Sequence, residues 1–302
     1  MSLTTSNPAR PAVQAEGTDE LAARVAAFRE QYVGKLAAPH GWWAIASLDW
    51  LEPGDNLLGS GPDARLPLPA GTPERAAVLR LEEERVVVTP LASGLELDGE
   101  ALTEPRATDG VATLAVPAGE VTLLAKLIRR GELFGVRVYD PRLAAARDRE
   151  ASVAWFDPDP AWVVEAEFVP PLPGETIPVV NALGQVVDTA VAGRAVFDHE
   201  GERYTLVATP AGTPGRLFFN FRDATNLRET YGGGRFLNVD GPVEGRIVLD
   251  FNLCHHPPCA HTQYATCPVP PEENRLPFEV RAGERYPEDD PGDPVPPASR
   301  RA

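Results

Sequence analysis

Basic runs are missing from this sequence. Lysine and arginine number 28 against 44 aspartates and glutamates, a formal charge of −16, and no block of cations interrupts that balance. A field of this sign repels a phosphate backbone, so nucleic acid is not an expected partner. Long apolar runs are missing as well. None approaches the roughly 20 residues that a membrane-spanning helix needs, and the opening MSLTTSNPARPAVQAEG has no apolar segment of the secretory type. The expectation is a cytoplasmic chain without membrane association. Cysteine is scarce, with three in the chain, so at least one thiol of a monomer is free or bound. In a reducing compartment disulfides are rare. Complete catalytic motifs are also absent: there is no G-x-S-x-G elbow, and YGGGR lacks the G-x-G-x-x-G or Walker pattern.

Turn formers are abundant. Thirty-two prolines and 26 glycines break the chain into short elements and favour β-structure. Residues 1–17 read as a flexible tail. A helix over 18–39 follows, capped by Thr18 or Asp19, with Leu21, Val25, Phe28, Tyr32 and Leu36 on one face. From Trp42 the period changes to two. The runs WWAIASLDWL, AAVLRLE, RVVVTPL, GLELDG, GVATLAV and EVTLLAKLIRRGELFGVRVYD predict a first β-module over 40–150, with a hairpin turn at Arg130-Gly131-Glu132. PRLAAARD predicts a short closing helix. AWVVEAEFV, TIPVV, GQVVDTAV, RAVFDH, RYTLVATP, RLFFNFRD and GRIVLDFN predict a second module over 151–286, a barrel or sandwich. Residues 287–302 read as a disordered acidic, proline-rich tail. The fold class is thus mainly β: a helix, a β-sandwich, and a second β-module crossed by a proline-rich strap.

The polar residues that invite chemistry crowd the second module. Side chains alternate along a strand, so in GRIVLDFNL the apolar Ile247, Leu249 and Phe251 face one way, and Asp250 and Asn252 face the other. In LFFNFRDAT, Phe219, Phe221, Asp223 and Thr225 share a face if the strand runs that far. If the two strands are neighbours, two carboxylates and two neutral polar groups converge. Arg235 follows three glycines and is suited to an anionic group or to one of these carboxylates. In this reading Asp223, Asp250 and Asn252 are the catalytic candidates, with either aspartate as general base or metal ligand. Thr225, Arg235, Asn274, Arg275 and Glu284 are the ligand-binding candidates. The bland alternative is that Asp and Asn cap turns, that an Asp–Arg pair pins a loop, and that Asn274, Arg275 and Glu284 anchor the strap. Cys259, His261 and Cys267, with Cys254, supply a four-ligand N/S set for zinc, although no C-x2-C pair occurs. The competing readings are a Cys259–Cys267 disulfide, a nucleophilic cysteine, and small buried thiols.

The pieces FNFRDATN, TYGGGRFLNV, LDFN, PPCAHTQYATCPVPPEENRLP and RAGER, in this order and spacing, resemble the bacterial and archaeal domain-of-unknown-function family 1684. HGWWAIASLDWLEPGDNLLGS and LIRRGELFGVRVYD extend the resemblance over about residues 40–285. It brings no activity with it. The chain departs from the family pattern at Cys254, His255, His256 and His261, and matches the family cysteines at Cys259 and Cys267. A metal site built on the former would be peculiar to this protein. NLLGSGPDARLPLP and LASGLELDGEAL are similar to forkhead-associated domains, β-sandwiches that bind phosphothreonine. Ser60 stands where their arginine follows the glycine, and no serine–histidine pair follows. The expectation is therefore a small-molecule pocket in the second module, serving carboxylate- or metal-assisted hydrolysis. The alternative is a non-catalytic interaction module that uses the first.

Overall fold

The computed structural model describes residues 17–287. The tails expected at 1–17 and 287–302 lie outside these residues except for Gly17 and Pro287. Helix α1 (Thr18–Leu36) starts one residue before the expected caps, because Gly17 occupies the cap position and its carbonyl accepts from Glu20 and Leu21. It stops at Leu36, ahead of the close approach of Gly41 to the Lys35 and Leu36 carbonyls, where a side chain would not fit. The apolar stripe of α1 is divided between two neighbours. Leu36 joins Trp43, Ile45, Tyr139 and Val153 in a small junction core, while Phe28 and Tyr32 pack on Trp155 and His255.

The first module carries β1 (Ile45–Trp50), β2 (Gly54–Gly59), β3 (Leu66–Pro67), β4 (Ala77–Glu82), β5 (Arg85–Pro90), β6 (Glu96–Leu97), β7 (Glu100–Ala101), β8 (Arg106–Thr108), β9 (Ala112–Ala118), β10 (Val121–Arg130) and β11 (Leu133–Tyr139). They form a six-stranded sheet in the order β1-β11-β10-β9-β6-β7 and a five-stranded sheet in the order β3-β2-β4-β5-β8. The inward residues share one core: Leu114, Leu123, Leu127, Phe134, Val136 and Val138 from the first sheet meet Leu58, Leu79, Val86 and Val88 from the second. Each large side chain so buried contributes about 1.5–3 kcal/mol. The turn between β10 and β11 is the expected one, with Gly131 at φ +60 and Arg130 opposite Leu133.

Helices α2 (Pro141–Ala146), capped by Asp140, and α3 (Arg149–Ser152), capped by Asp148, lead to the second module. Its elements are β12 (Ala154–Trp155), β13 (Val163–Val169), β14 (Thr176–Val180), β15 (Val186–Ala190), β16 (Gly193–His199), β17 (Glu202–Pro210), β18 (Arg216–Phe221), β19 (Arg235–Asp240), β20 (Arg246–Asp250) and β21 (Glu284–Arg285). Six of them run β19-β18-β17-β16-β13-β20, and the ends approach each other to give a nearly closed barrel. Leu206, Phe219, Phe221, Leu237, Ile247, Leu249 and Phe251 fill it. Strand β19 is not among the runs recognised in the sequence, and its position corrects one expectation. Strands β18 and β20 are not neighbours, because β19 stands between them where the barrel closes. β14 and β15 form a separate hairpin, and β12 pairs with β21, tying the start of the module to its end. No helix among the described residues is long and apolar enough to cross a membrane.

Candidate functional site

Asp250 ends β20 and caps the short turn Phe251–Leu253. Its Oδ1 accepts from the Asn252 backbone N–H at 3.0 Å and from Asn252 Nδ2 at 2.9 Å. Its Oδ2 is bound by the guanidinium of Arg24, which reaches over from α1. The Asn252 carboxamide in turn brackets one backbone unit: the Asp159 N–H donates to Oδ1 at 2.9 Å, and Nδ2 donates to the Asp159 carbonyl at 2.9 Å. The predicted face of β20 is thus real, with Ile247, Leu249 and Phe251 in the core. The polar face serves turn capping and helix docking.

Asp223 lies past the end of β18, so it does not continue the face of Phe219 and Phe221. It starts a tight turn in which Oδ1 accepts from the Thr225 N–H at 2.7 Å, from Thr225 Oγ1 at 2.6 Å and from the Val280 N–H at 3.3 Å. Thr225 Oγ1 also meets Thr230 Oγ1 at 2.8 Å. Oδ2 faces Arg235 Nη1 at 3.2 Å, in a pair with both side chains fully buried. Arg235 also reaches the strap: Nη1 donates to the Val280 carbonyl at 2.6 Å and Nη2 to the Ala282 carbonyl, while its buried Nε has no partner. Asn274 is a pure backbone pin. Its Oδ1 accepts from the Val207 N–H at 2.6 Å, and its Nδ2 donates to the Val207 and Asn220 carbonyls at 2.8 and 2.9 Å. Arg275 stands apart, 57% exposed and 3.6 Å from Glu272. Asp223 and Asp250 therefore pair with different arginines, Arg235 and Arg24.

Glu284 is the centre of a different cluster. It is 1% exposed, and Oε2 accepts from the His256 N–H at 2.6 Å. Oε1 lies 3.4 Å from His256 Nδ1 and 3.3 Å from His261 Nε2. The Tyr231 N–H donates to His256 Nε2 at 3.2 Å, which makes that nitrogen the acceptor and places the ring proton on Nδ1, toward Glu284. Burial outweighs the attraction of Glu284 and pushes the His256 imidazole down to about 3. Burial raises the Glu284 carboxyl, but the facing imidazoles and donors win and hold it at about 2. The contact is a neutral imidazole donating to a carboxylate. Tyr32 Oη, 3.0 Å from His261 Nε2, closes the cluster from α1.

These contacts bear on the zinc expectation. His261 is turned to Glu284 and Tyr32, while Cys254 is buried without exposure. Cys259 and Cys267 face each other: each backbone N–H donates to the other sulfur, at 3.3 and 3.4 Å. The set Cys259, His261 and Cys267 does not converge, and among the described residues no group of three or more histidine, cysteine or acidic side chains is arranged to hold a metal. The pairing of Cys259 with Cys267 lowers the former thiol and raises the latter.

A partly enclosed cavity of about 230 Å³ lies elsewhere in the module, on the outer face of the barrel. Val207 and Thr209 of β17 with Phe218 and Asn220 of β18 form its floor. Ile177, Val179 and Thr189 of the β14–β15 hairpin form one wall, and Pro268, Pro271 and Asn274 bring the strap over it. Asn220 is 6% exposed, and its Oδ1 has no hydrogen-bond partner. Its Nδ2 donates to the Pro268 carbonyl at 3.0 Å; that acceptor fixes the amide orientation and leaves Oδ1 as the unsatisfied end. Of the residues selected from sequence, only Asn274 borders this cavity. The signal for the others was present in RLFFNFRD, whose alternation puts Phe218 and Asn220 opposite the core residues Phe219 and Phe221.

An uncharacterized protein of Haloarcula marismortui, solved by NMR in solution, is 34% identical to this chain over 44% of this chain and 76% of its own, with a TM-score of 0.38. In the first part of the chain, the forkhead-associated domain of FhaA, solved in complex with an intracellular domain of another protein, is 16% identical over 30% of this chain and 96% of its own, TM-score 0.22. Another forkhead-associated structure is 18% identical over 30% of this chain and 90% of its own, TM-score 0.21. No curated protein matches. The family match starts after the sandwich, whereas the resemblance read from sequence motifs reached back to residue 40. Residues 151–285, the barrel with its strap, match the family described as protein of unknown function DUF1684.

Proposed function

We propose that the second β-module binds a compact, mainly apolar small molecule carrying one hydrogen-bond donor, in the cavity beneath the β14–β15 hairpin. The observation that carries this reading is Asn220, which lines an otherwise largely apolar cavity and whose buried Oδ1 has no protein partner. A buried polar atom left unpaired costs about 1–3 kcal/mol, and a ligand N–H or O–H removes that cost while orienting the molecule. An apolar cavity of about 150 Å³ accepts benzene, so the 230 Å³ here suits a fused bicycle more than an extended substrate. Hydrolysis at Asp223 or Asp250 finds no support in the geometry. A general base needs a lone pair within reach of a substrate proton, and these carboxylates are buried against Arg235, Arg24 and local N–H groups.

Indole and its donor-free analogue indene are suitable probes, followed by amide chemical shifts of the full chain. Indole is expected to shift the β17, β18 and hairpin resonances and to bind about fivefold to tenfold more tightly than indene, the difference of one hydrogen bond. Val179→Trp, which fills the cavity from the hairpin, is expected to abolish both. Binding of indole unchanged in Val179→Trp, or no shift with either probe at millimolar concentration, overturns the reading.

A further inference from the structure

Strands β10 and β11 carry a feature unrelated to the cavity. Their inward residues, Leu123, Ala125 and Leu127 with Phe134, Val136 and Val138, fill the sandwich core. The opposite face carries cations. Lys126 and Arg137 stand directly across from each other in the β10–β11 register, where Cβ atoms lie roughly 5 Å apart and like charges repel. Arg130 lies on the same face of β10, four residues beyond Lys126. In a chain of formal charge −16, the natural remedy would be a neighbouring carboxylate. Arg129 has one, Glu84 at 3.1 Å. Among the described residues, Lys126, Arg130 and Arg137 have none within ion-pair distance.

Arg137 is the decisive member. It is 4% exposed, and neither Nε nor Nη2 has a hydrogen-bond partner. What holds it is the Trp42 ring, 5.2 Å from the guanidinium carbon. Lys126 rests similarly on Tyr139, with Nζ 4.4 Å from the ring centroid. Arg130 Nε donates to Thr266 Oγ1 of the strap at 3.0 Å, so the cationic face lies where the sandwich meets the strap. Aromatic faces position these cations without neutralising them. Burial first, and then the Arg137 charge, lowers the pKa of Lys126 and of Arg130. Three unneutralised cations, one of them a buried fork with free donors, match an oxyanion: the guanidinium offers paired N–H groups and the ammonium a compact charge.

We propose that Arg137, Lys126 and Arg130 form a binding site for a phosphate group, as the free ion or as the terminal group of a small metabolite, at the junction between the sandwich and the strap. The net negative field of the protein would then disfavour polyanions relative to a single small anion.

The test is isothermal titration of the full chain with inorganic phosphate and with methyl phosphate, in chloride at matched ionic strength. Saturable binding is expected, weakened at least tenfold by Arg137→Met and by Lys126→Met, and unchanged by Arg203→Gln on the exposed barrel surface. Tighter binding of inorganic phosphate assigns the free ion; tighter binding of methyl phosphate assigns an ester. Should Arg137→Met fail to fold, Lys126→Met and Arg130→Met carry the same test. No saturable heat with either anion overturns the proposal. So does phosphate binding that survives both Lys126→Met and Arg130→Met, since the ion would then sit elsewhere.

Discussion

The sandwich and the barrel bury polarity in different ways. Among the described residues up to 140, the buried polar side chains are Asn56, Thr72, Arg137 and Asp140; beyond that they include Asn220, Asp223, Thr225, Arg235, Asp250, Asn252, His256, Asn274 and Glu284. The difference follows from backbone accounting. Sandwich strands satisfy their N–H and C=O groups on one another, and an apolar core is sufficient. The strap from Phe251 to Gly283 makes isolated bridges, such as His255 to Phe236 of β19, but no extended ladder, so side chains supply much of the rest: Arg235 on the Val280 and Ala282 carbonyls, Asn274 on Val207 and Asn220, Glu284 on His256. Polar burial here records a loop that must be held down, which is why the same residues resemble a catalytic constellation when read along the sequence.

Acid should separate the two modules most strongly. Burial holds His256 at about 3 and His255 at about 4, whereas unfolded histidine titrates near 6.5. Below pH 6.5 the unfolded chain takes up protons that the folded barrel refuses, so stability falls as pH drops toward 4. Glu284, with a folded value of about 2, adds stability that is present above the unfolded carboxyl value and is lost as pH falls from about 4.5 toward 2. Hydrogen exchange resolved by peptide should show barrel protection collapsing between pH 6.5 and 4 while that of β4, β5, β9 and β10 stays flat. Parallel loss in both modules would remove the contrast.

Arg235→Met comes next. It strands the buried Asp223 carboxylate and two strap carbonyls, at about 3–5 kcal/mol, read from the denaturant midpoint of the barrel. Adding Asp223→Leu should recover much of the loss, because the uncompensated charge is then gone. In the sandwich the corresponding weak point is apolar: Leu114→Ala should cost about 3 kcal/mol through its cavity. Asn274→Ala leaves three backbone groups of β17 and β18 unpaired and should cost about 1–3 kcal/mol. A cost for Asn274→Ala no larger than that of a surface change would show that the strap is not pinned as described. Arg80→Gln removes an exposed pair with Asp55 and should leave the thermal midpoint unchanged, since such pairs contribute little.

What could be read from sequence was what the backbone enforces over a few residues. Alternation put Phe134, Val136 and Val138 on a core face, and likewise Ile247, Leu249 and Phe251. The stripe of Leu21, Val25, Phe28, Tyr32 and Leu36 lies on one helix. The tendency of aspartate to cap a turn, given as the bland alternative, is what Asp250 and Asp223 do. Residue type within one module marks Asp, Asn and Arg as candidates, but residue type does not specify a partner.

By itself, then, the sequence determined the local periods, the turns and the two apolar cores, because strand and helix geometry repeat over two or 3.6 residues. Only the tertiary structure decided that β19 separates β18 from β20, that Arg24 of the first helix holds Asp250, that His261 turns to Glu284 instead of Cys259, and that Asn220 and Arg137 are left with buried donors or acceptors unspent. These are contacts between residues far apart in the chain. They are set by which surfaces pack together, and no local pattern encodes that choice.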